Sequence, residues 1–576
     1  MPTEKQLEAF KTDFVKDNYT PEEQALLAPF FSNLDQSVYA PLIFSPEVIG
    51  ALCSRTSRAV GDLRKIFLDE YITPFLQPER SEKDSDEDWQ QKVEYGEELR
   101  AFITFLQDHP IEKIFSNPRA RSFYTKWLAQ YGDDSIAQMA GMHLVYSGVS
   151  QVAIKHFEDQ RIGLAPLEKS TRYINYGEKI NGSYQYYTDP TLADHGVEAV
   201  YRAAMDGLFE AYGKLKPQLI TWLTDQFPDE KSKVIETKAF DTLRGLLPTS
   251  TLSQVAFFGN GQAFEYMIAR SLGSRLGEIS WAADRAYEEL YRIAPSFLRR
   301  IKSEEPAARA SAQEYQEYKA GLPDRMARHT DPLIAPGDSS NGTTVALLEY
   351  DPLGQEKVIT GLLYSARGNH RAWVDILAQV QEMTMEEKDA VLANALDGRT
   401  QRWQKVPRAF ENANVRFEIT MNIGSWRDLH RHRMLTQQRQ FFTVKHGYDT
   451  PPELIEAGLA DSYHAAIKAV EDTHHLIATH SQELAQYAVT LAHRIQFMQW
   501  ENLRECFWEM ELRTIPEGHP DYRAVEQEKF RQLEKAYPLI TKYMHVNMDT
   551  YDFARRGQDE KIQAKLEALQ KMDLGA

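Results

Sequence analysis

The feature that most constrains this chain is a repeat on either side of a change in texture. Residues 302–330, KSEEPAARASAQEYQEYKAGLPDRMARHT, read as a charged helical connector, and 332–344, PLIAPGDSSNGTT, as a Pro/Gly/Ser/Asn linker. The residues beyond this break parallel those before it. VALLEYDPLGQEKVITGLLYSARGN (345–369) reads strand, Pro turn, helix, as does PLIFSPEVIGALCSRTSRAV (41–60). Residues 420–444 parallel 140–173. LAQYAVTLAHRIQFMQWENLRECFWEMELRT (484–514) parallels 242–271, with Asn502 standing where Asn260 stands. The pattern predicts two α+β domains in tandem, residues 1–305 and 345–576, joined by a connector over 306–344. Each is expected to be a twisted sheet wrapped by helices, and the two are expected to pack as a pseudo-dimer.

Composition agrees with this division. At one domain per ~150 residues, a 576-residue chain holds two to four domains. It is 42% hydrophobic and 26% charged, which is globular. No apolar run approaches the ~18 residues of a membrane span, and the start, MPTEKQLEAFKTDF, has no apolar signal region. Cys53 and Cys506 stand far apart, which excludes a disulfide framework or a cysteine zinc site and fits the cytoplasm. A net charge of −18 argues against a nucleic acid polymer as partner. No HExxH pair, GxGxxG βαβ turn or phosphate-binding P-loop is present, so neither a metal site nor a Rossmann domain is expected.

Against that acidic background Thr420–Val444, TMNIGSWRDLHRHRMLTQQRQFFTV, is exceptional. It gathers Arg427, His430, Arg431, His432, Arg433 and Arg439. Such a concentration suits a bound anion, or a ring that must hold negative charge. Asp428 and the aromatics Trp426, Phe441 and Phe442 argue for partial burial over a solvated basic face. If this stretch is helical, His430 and His432 point to different sides. In the first repeat Ser170 and Arg172 offer a hydroxyl and a forked guanidinium, a standard oxyanion grip; a capped turn reads equally well there. His474, His475 and His480 are placed on one helix over 461–488. Residues 1–35 read as short helices, 63–75, 96–107 and 121–132 as helical, and 78–91 as an exposed charged connection. The aromatics around Phe257-Phe258 and Phe497-Trp500 are read as core.

These motifs resemble the flavin-dependent thymidylate synthases. Arg431-His432-Arg433 is similar to that family's Arg-His-Arg signature, and Glu168-x-Ser170-x-Arg172-Tyr173 to its Glu-x-Ser-x-Arg-Tyr run. Arg244, Leu247, Pro248 and Asn260 resemble the Arg-x-x-Leu-Pro segment and its following Asn, and Arg513 stands at the place of an active-site Arg. The departures are complementary. Position 441 is Phe where the family has Ser, Arg439 stands for its Glu, and Gln486 replaces the Arg kept at 244. In the first repeat Asp159-Gln160-Arg161 replaces Arg-His-Arg, so Asp159 should face away from an anion and pair with Arg161 or Lys155.

The resemblance implies a division of labour. Arg431, His432, Arg433, Asn502, Glu418 and Asn260 would bind FAD. Glu168, Ser170, Arg172, Tyr173 and Arg244 would bind a pyrimidine nucleotide monophosphate, and Arg513 and Ser170 would be catalytic. The implied reaction is one-carbon transfer, with a reduced folate and NADPH as co-substrates, at a composite site in a homodimer of four domains. The alternative is a non-catalytic nucleotide- or flavin-binding protein on a degenerate scaffold.

Overall fold

In the computed structural model, described over residues 4–82, 84–109, 117–130, 134–302, 306–333 and 342–553, each repeat builds one four-stranded antiparallel sheet. In the first, β1 (Val38–Tyr39), β2 (Gly141–Ser150), β3 (Leu164–Glu168) and β4 (Leu252–Asn260) lie in the order β1-β2-β4-β3. In the second, β5 (Thr344–Tyr350), β6 (Asn414–Asn422), β7 (Thr436–Arg439) and β8 (Arg494–Asn502) lie in the order β5-β6-β8-β7. The expected pair of tandem α+β domains is therefore present, with one topology used twice.

The central strands of both sheets end in the same device. Each runs directly into a helix, and the last strand residue caps it. Ser150 Oγ accepts from Ala153 N at 3.0 Å, and Asn260 Oδ1 from Ala263 N at 2.8 Å. Asn422 Oδ1 accepts from Ser425 N at 2.8 Å, and Asn502 Oδ1 from Glu505 N at 3.0 Å. Each cap satisfies an amide that has no partner within the helix, for about 1 kcal/mol.

The sheets differ in how they are covered. In β4 nearly every residue is buried, as in a strand packed on both faces. Phe257 belongs to that core, whereas Phe258 is 50% exposed. In β8 burial alternates strictly, so Ile495, Phe497, Gln499 and Glu501 face inward while Met498 and Trp500 lie on a half-open face. Edge strand β5 carries exposed Leu348 and Tyr350. Its backbone is closed by Gln532, which accepts from Leu347 N at 2.7 Å and donates to Val345 O at 2.8 Å. A side-chain amide thus stands in for a neighbouring strand on an edge that would otherwise invite pairing.

Compactness divides the chain differently from the linear boundary at 306–344. One unit comprises Met1–Lys214, Leu246–Gly337 and His464–Val489. The other comprises Leu215–Gly245, Asp338–Tyr463 and Thr490–Ala576. Each unit is completed by a helical segment from the other repeat.

Some local expectations need correction. The last six residues of the presumed connection at 78–91 are helix: Ser85 and Asp88 form a capping box that starts Asp86–Asp108. The helix over 461–488 is shorter, Ala460–Ala478, so His474 and His475 are on it and His480 is not. The helix after β6 ends at Leu429, which puts His430 at its cap and His432 in the turn beyond. The connector 306–333 is helical as Pro306–Ala320 and Leu322–Leu333; most of the linker at 332–344 lies outside the described residues. Among the described residues no helix is long and apolar enough to cross a membrane.

Candidate functional site

The basic stretch of the second repeat folds into a short helix, a turn and an edge strand. Arg427 lies buried on the helix Ile423–Leu429, and Arg431, His432 and Arg433 occupy the turn leading to β7. His432 is buried and used at both ring nitrogens. Arg513 Nε donates to its Nε2 at 2.9 Å, and Nδ1 lies 2.9 Å from Glu505 Oε1. Because Nε2 accepts, the ring proton sits on Nδ1 and is shared with Glu505. Asn502 caps the helix Leu503–Arg513, which sets both Glu505 and Arg513 against the turn. Asp428 lies 3.7 Å from Arg431 and 3.9 Å from Arg513, between the two guanidiniums. The result is a rigid imidazole with two arginines beside it. Arg431 has 41% of its side chain accessible and is the outward member. Glu418 lies on the half-open sheet face, in register with Met498.

Behind this array lies a buried charge cluster that the motif reading missed. Lys529 Nζ is 2.9 Å from Glu501, 2.7 Å from Glu509 and 3.2 Å from Glu526, all fully buried. Burial raises all three carboxyls, and at Glu509 alone nearby charge overcomes it. Glu526 is pushed up to about 8 and Glu501 upward, whereas the Lys529 ammonium and His432 draw Glu509 down to about 2. Glu526 and Lys529 are three residues apart on one helix, and that pair was the part of the cluster a sequence spacing could show.

In the other unit the substrate-side motif is strapped to the loop at 57–61. Ser170 N donates to Ser57 O at 2.9 Å, Lys169 Nζ reaches Val60 O at 2.7 Å, and Arg58 lies over the Tyr173 ring at 5.9 Å. Burial lowers the Lys169 ammonium to about 8. Ser170 Oγ accepts from Arg172 N at 3.2 Å, a capped turn, and Arg172 itself is buried. Glu168 is committed to Lys155 at 2.9 Å, and the same ammonium holds Glu158 at 2.6 Å. Lys155 thus pairs with these two carboxylates. Asp159 closes the helix Gln151–Glu158, and Arg161 takes the left-handed φ of 61° beyond it. Asn260 caps the helix Gly261–Ser271, on which Arg270 donates to His156 O.

Arg244 belongs to the same unit as Arg431, although it comes from the first repeat. It lines a cavity of about 630 Å³ whose walls include Trp222, Asp241, Asn422, Asp449 and Asp521. Arg244 donates to Ser425 Oγ at 2.9 Å. Ser425 lies 3.2 Å from Asp521 Oδ2, and Asn422 Nδ2 donates to Asp449 at 2.9 Å and to Asp521 at 2.7 Å. Burial raises the Asp521 carboxyl above its ordinary range, with Arg244 pulling it back. Gly245 lets the chain pass, since a Cβ there would lie 2.4 Å from the Tyr463 hydroxyl. The structure therefore groups Arg431, His432, Asn502 and Arg513 in one unit, Ser170, Arg172 and Tyr173 in the other, and sets Arg244 in the cavity wall.

A repeated fold with an arginine–histidine array at one strand–helix corner defines the class. The profile of the thymidylate synthase complementing protein family matches residues 83–296 and again 347–539, and the chain belongs to that family, a flavin-dependent one. A UPF0159 protein of Chlamydia pneumoniae is 32% identical over 553 residues, 94% of this chain and 98% of that one. A UPF0159 protein of Thermoplasma acidophilum is 29% identical over 467 residues, 76% of this chain and 90% of that one. The solved structures that resemble it include a UMP/dUMP methylase PolB from Streptomyces cacaoi bound with 5-Br dUMP, at 13% identity and a TM-score of 0.28. The match spans 36% of this chain and 96% of that one.

Proposed function

We propose that this protein transfers a one-carbon unit, thymidylate-synthase-like, to a pyrimidine deoxynucleotide monophosphate with FAD as cofactor. Family membership across both repeats supports this reading. The observation that carries it is the His432–Arg513–Glu505 array with Arg431 beside it. The donor set suits an electron-rich ring: His432 is locked, and two guanidiniums lie close by to offset negative charge. When bound, the flavin supplies the hydride chemistry. Arg431, His432 and Arg433 would hold it, with Asn502 fixing the helix that carries Arg513. Ser170, Arg172 and Tyr173 of the first repeat would hold the nucleotide phosphate, so that the two roles fall to unlike repeats. A reduced folate and NADPH are the co-substrates this reading calls for, a homodimer its assembly and the cytoplasm its place.

The test is flavin retention. The purified chain should carry a flavin absorbance band, and Arg431→Ala/His432→Ala should lose most of it while keeping the far-UV circular dichroism of the wild type. The double variant removes the outward Arg431 guanidinium and the imidazole that fixes Arg513, a loss of about 1–3 kcal/mol. Unchanged flavin content in the double variant would falsify the assignment. One observation favours the non-catalytic alternative: Glu168, which the resemblance puts on the substrate, is buried against Lys155. A wild type that retains flavin and binds the nucleotide without turnover in the presence of a reduced folate and NADPH would select that alternative.

A further inference from the structure

The two units build one corner twice, hydrogen bond for hydrogen bond. In the first, Val152 N donates to Thr249 O at 3.2 Å, Tyr187 N to Ser250 O at 2.8 Å and Tyr201 Oη to Tyr187 O at 2.6 Å. In the second, Gly424 N donates to Leu491 O at 2.9 Å, Asp449 N to Ala492 O at 3.0 Å and Tyr463 Oη to Asp449 O at 3.2 Å. Glu278 and Asp521 are each the second residue of a 17-residue helix, Gly277–Ile293 and Pro520–Ala536. Each meets the cap residue of its corner: Glu278 accepts from Ser150 Oγ at 2.6 Å, and Asp521 from Asn422 Nδ2 at 2.7 Å. The offset that pairs Asn260 with Asn502 also pairs Arg244-Gly245 with Gln486-Tyr487. Each unit receives that dipeptide from the other repeat.

The corners differ in what occupies them. In the second unit Arg244, Gly245, Asn422, Asp449, Tyr463 and Asp521 belong to the wall of the cavity of about 630 Å³, and Asp521 keeps 44% of its side chain accessible. In the first unit Tyr487 stands where Gly245 stands, and its side chain crosses to the counterparts of two other walls. The hydroxyl donates to Glu278 Oε2 at 2.8 Å, at the place of Asp521. The ring centre lies 5.2 Å from that of Tyr187, at the place of Asp449. Tyr187, Glu278 and Tyr487 are all buried. A glycine leaves the volume beside it open, whereas a tyrosine supplies a ring and a donor of its own.

We infer that Tyr487 is a built-in occupant of the first unit's corner: the chain keeps one ligand corner, at Arg244-Gly245, and has closed the other with its own phenol. That the open corner takes a nucleotide monophosphate rests on the nucleotide reading of Arg244; the closure by Tyr487 does not.

Two measurements test the closure without a nucleotide. In Tyr487→Gly, p-cresol, the tyrosine side chain as a free molecule, should enter the vacated space and raise the urea midpoint saturably, and the wild type should not respond. Carbodiimide labelling of the wild type, read by mass spectrometry, should modify Asp521 at least tenfold faster than Glu278, and this readout needs no variant to fold. Equal labelling of the two carboxyls, or a folded Tyr487→Gly that ignores millimolar p-cresol, overturns the inference. Calorimetry of the wild type with dUMP then counts ligands. One per chain is expected, and Arg244→Gln, which copies Gln486, should weaken binding tenfold or more. Two per chain overturns the inference as well. An absence of dUMP binding beside p-cresol rescue and selective labelling sinks the nucleotide reading of Arg244 and upholds the closed corner.

Discussion

Glu278 should impose a measurable pH dependence on stability, and Glu278→Gln should remove it. The carboxyl is fully buried; its Oε1 accepts from Ser150 N at 2.7 Å and its Oε2 from Ser150 Oγ at 2.6 Å and Tyr487 Oη at 2.8 Å. Burial outweighs those three donors and pushes it up to about 7, from an ordinary 4.5. The unfolded chain releases this proton near 4.5, whereas the folded chain keeps it to about 7. Between those values the folded state binds more protons, so stability falls as pH rises through that window and is level outside it. At 1.36 kcal/mol per pKa unit the loss is about 3 kcal/mol. Glutamine has no proton to lose, and its amide can donate to either hydroxyl while its oxygen accepts from Ser150 N. Urea denaturation of both proteins at pH 4, 5, 6, 7 and 8 should show the variant gaining about 3 kcal/mol relative to wild type between pH 4 and pH 8, most of it between 5 and 7. Parallel profiles would refute the reasoning, because they would mean that Glu278 titrates alike in the folded and unfolded chains.

Three further substitutions probe elements that the repeats share or do not share. Lys529→Met removes the cation that Glu501, Glu509 and Glu526 share, and should cost about 3–5 kcal/mol, seen as a loss of soluble protein or a large drop in the urea midpoint. Asn260→Ala and Asn502→Ala each delete one helix cap and should each cost about 1 kcal/mol by the same denaturation measurement, with Asn502→Ala alone also reducing flavin content.

The sequence made some features legible for identifiable physical reasons. The strand–helix corners were legible as equivalent positions of the repeat, Asn260 and Asn502, and the structure shows why Asn suits them: it is a strong cap former where an apolar strand ends. In β8 the aromatics from Phe497 to Trp500 read as core together, whereas the strand's alternation buries Phe497 and leaves Trp500 on the half-open face. β1, only two residues long, owes its existence to β2 and could be seen only as part of a strand–Pro–helix pattern. The helix at Asp86–Asp108 was shortened because its first turn is all acid, a composition that reads as solvent-exposed connection although it suits a helix N-terminus. The histidine array was half legible: Arg431 and His432 were singled out, while Glu505 was not, since its relation to His432 depends on how β8 and its helix return to the turn. The Lys529 cluster lies on two helices and a strand, and no single-segment pattern contains it.

Arg244 shows most clearly where sequence order and three-dimensional assignment part. Its motif, Arg-x-x-Leu-Pro, is in the first repeat, yet its guanidinium bonds Ser425 of the second. The cause is an exchange of segments. Leu215–Gly245 completes the unit built on the second sheet, and His464–Val489 the unit built on the first. The first unit depends on this exchange chemically, since Tyr487 supplies a donor to Glu278 and Thr249 N donates to Val489 O at 2.8 Å. The second does so too, since Lys238 pairs with Glu453 and Ala492 N donates to Gly245 O at 3.0 Å. Two copies of a gene encoding one such repeat could supply those segments to each other only as separate chains. Fused, each repeat can keep one set of motif residues and let the other diverge, because its missing segment always comes from the same covalent partner. Arg244 without a counterpart at Gln486, and Arg431-His432-Arg433 without a counterpart at Asp159-Gln160-Arg161, are the asymmetries that such a fixed pairing permits.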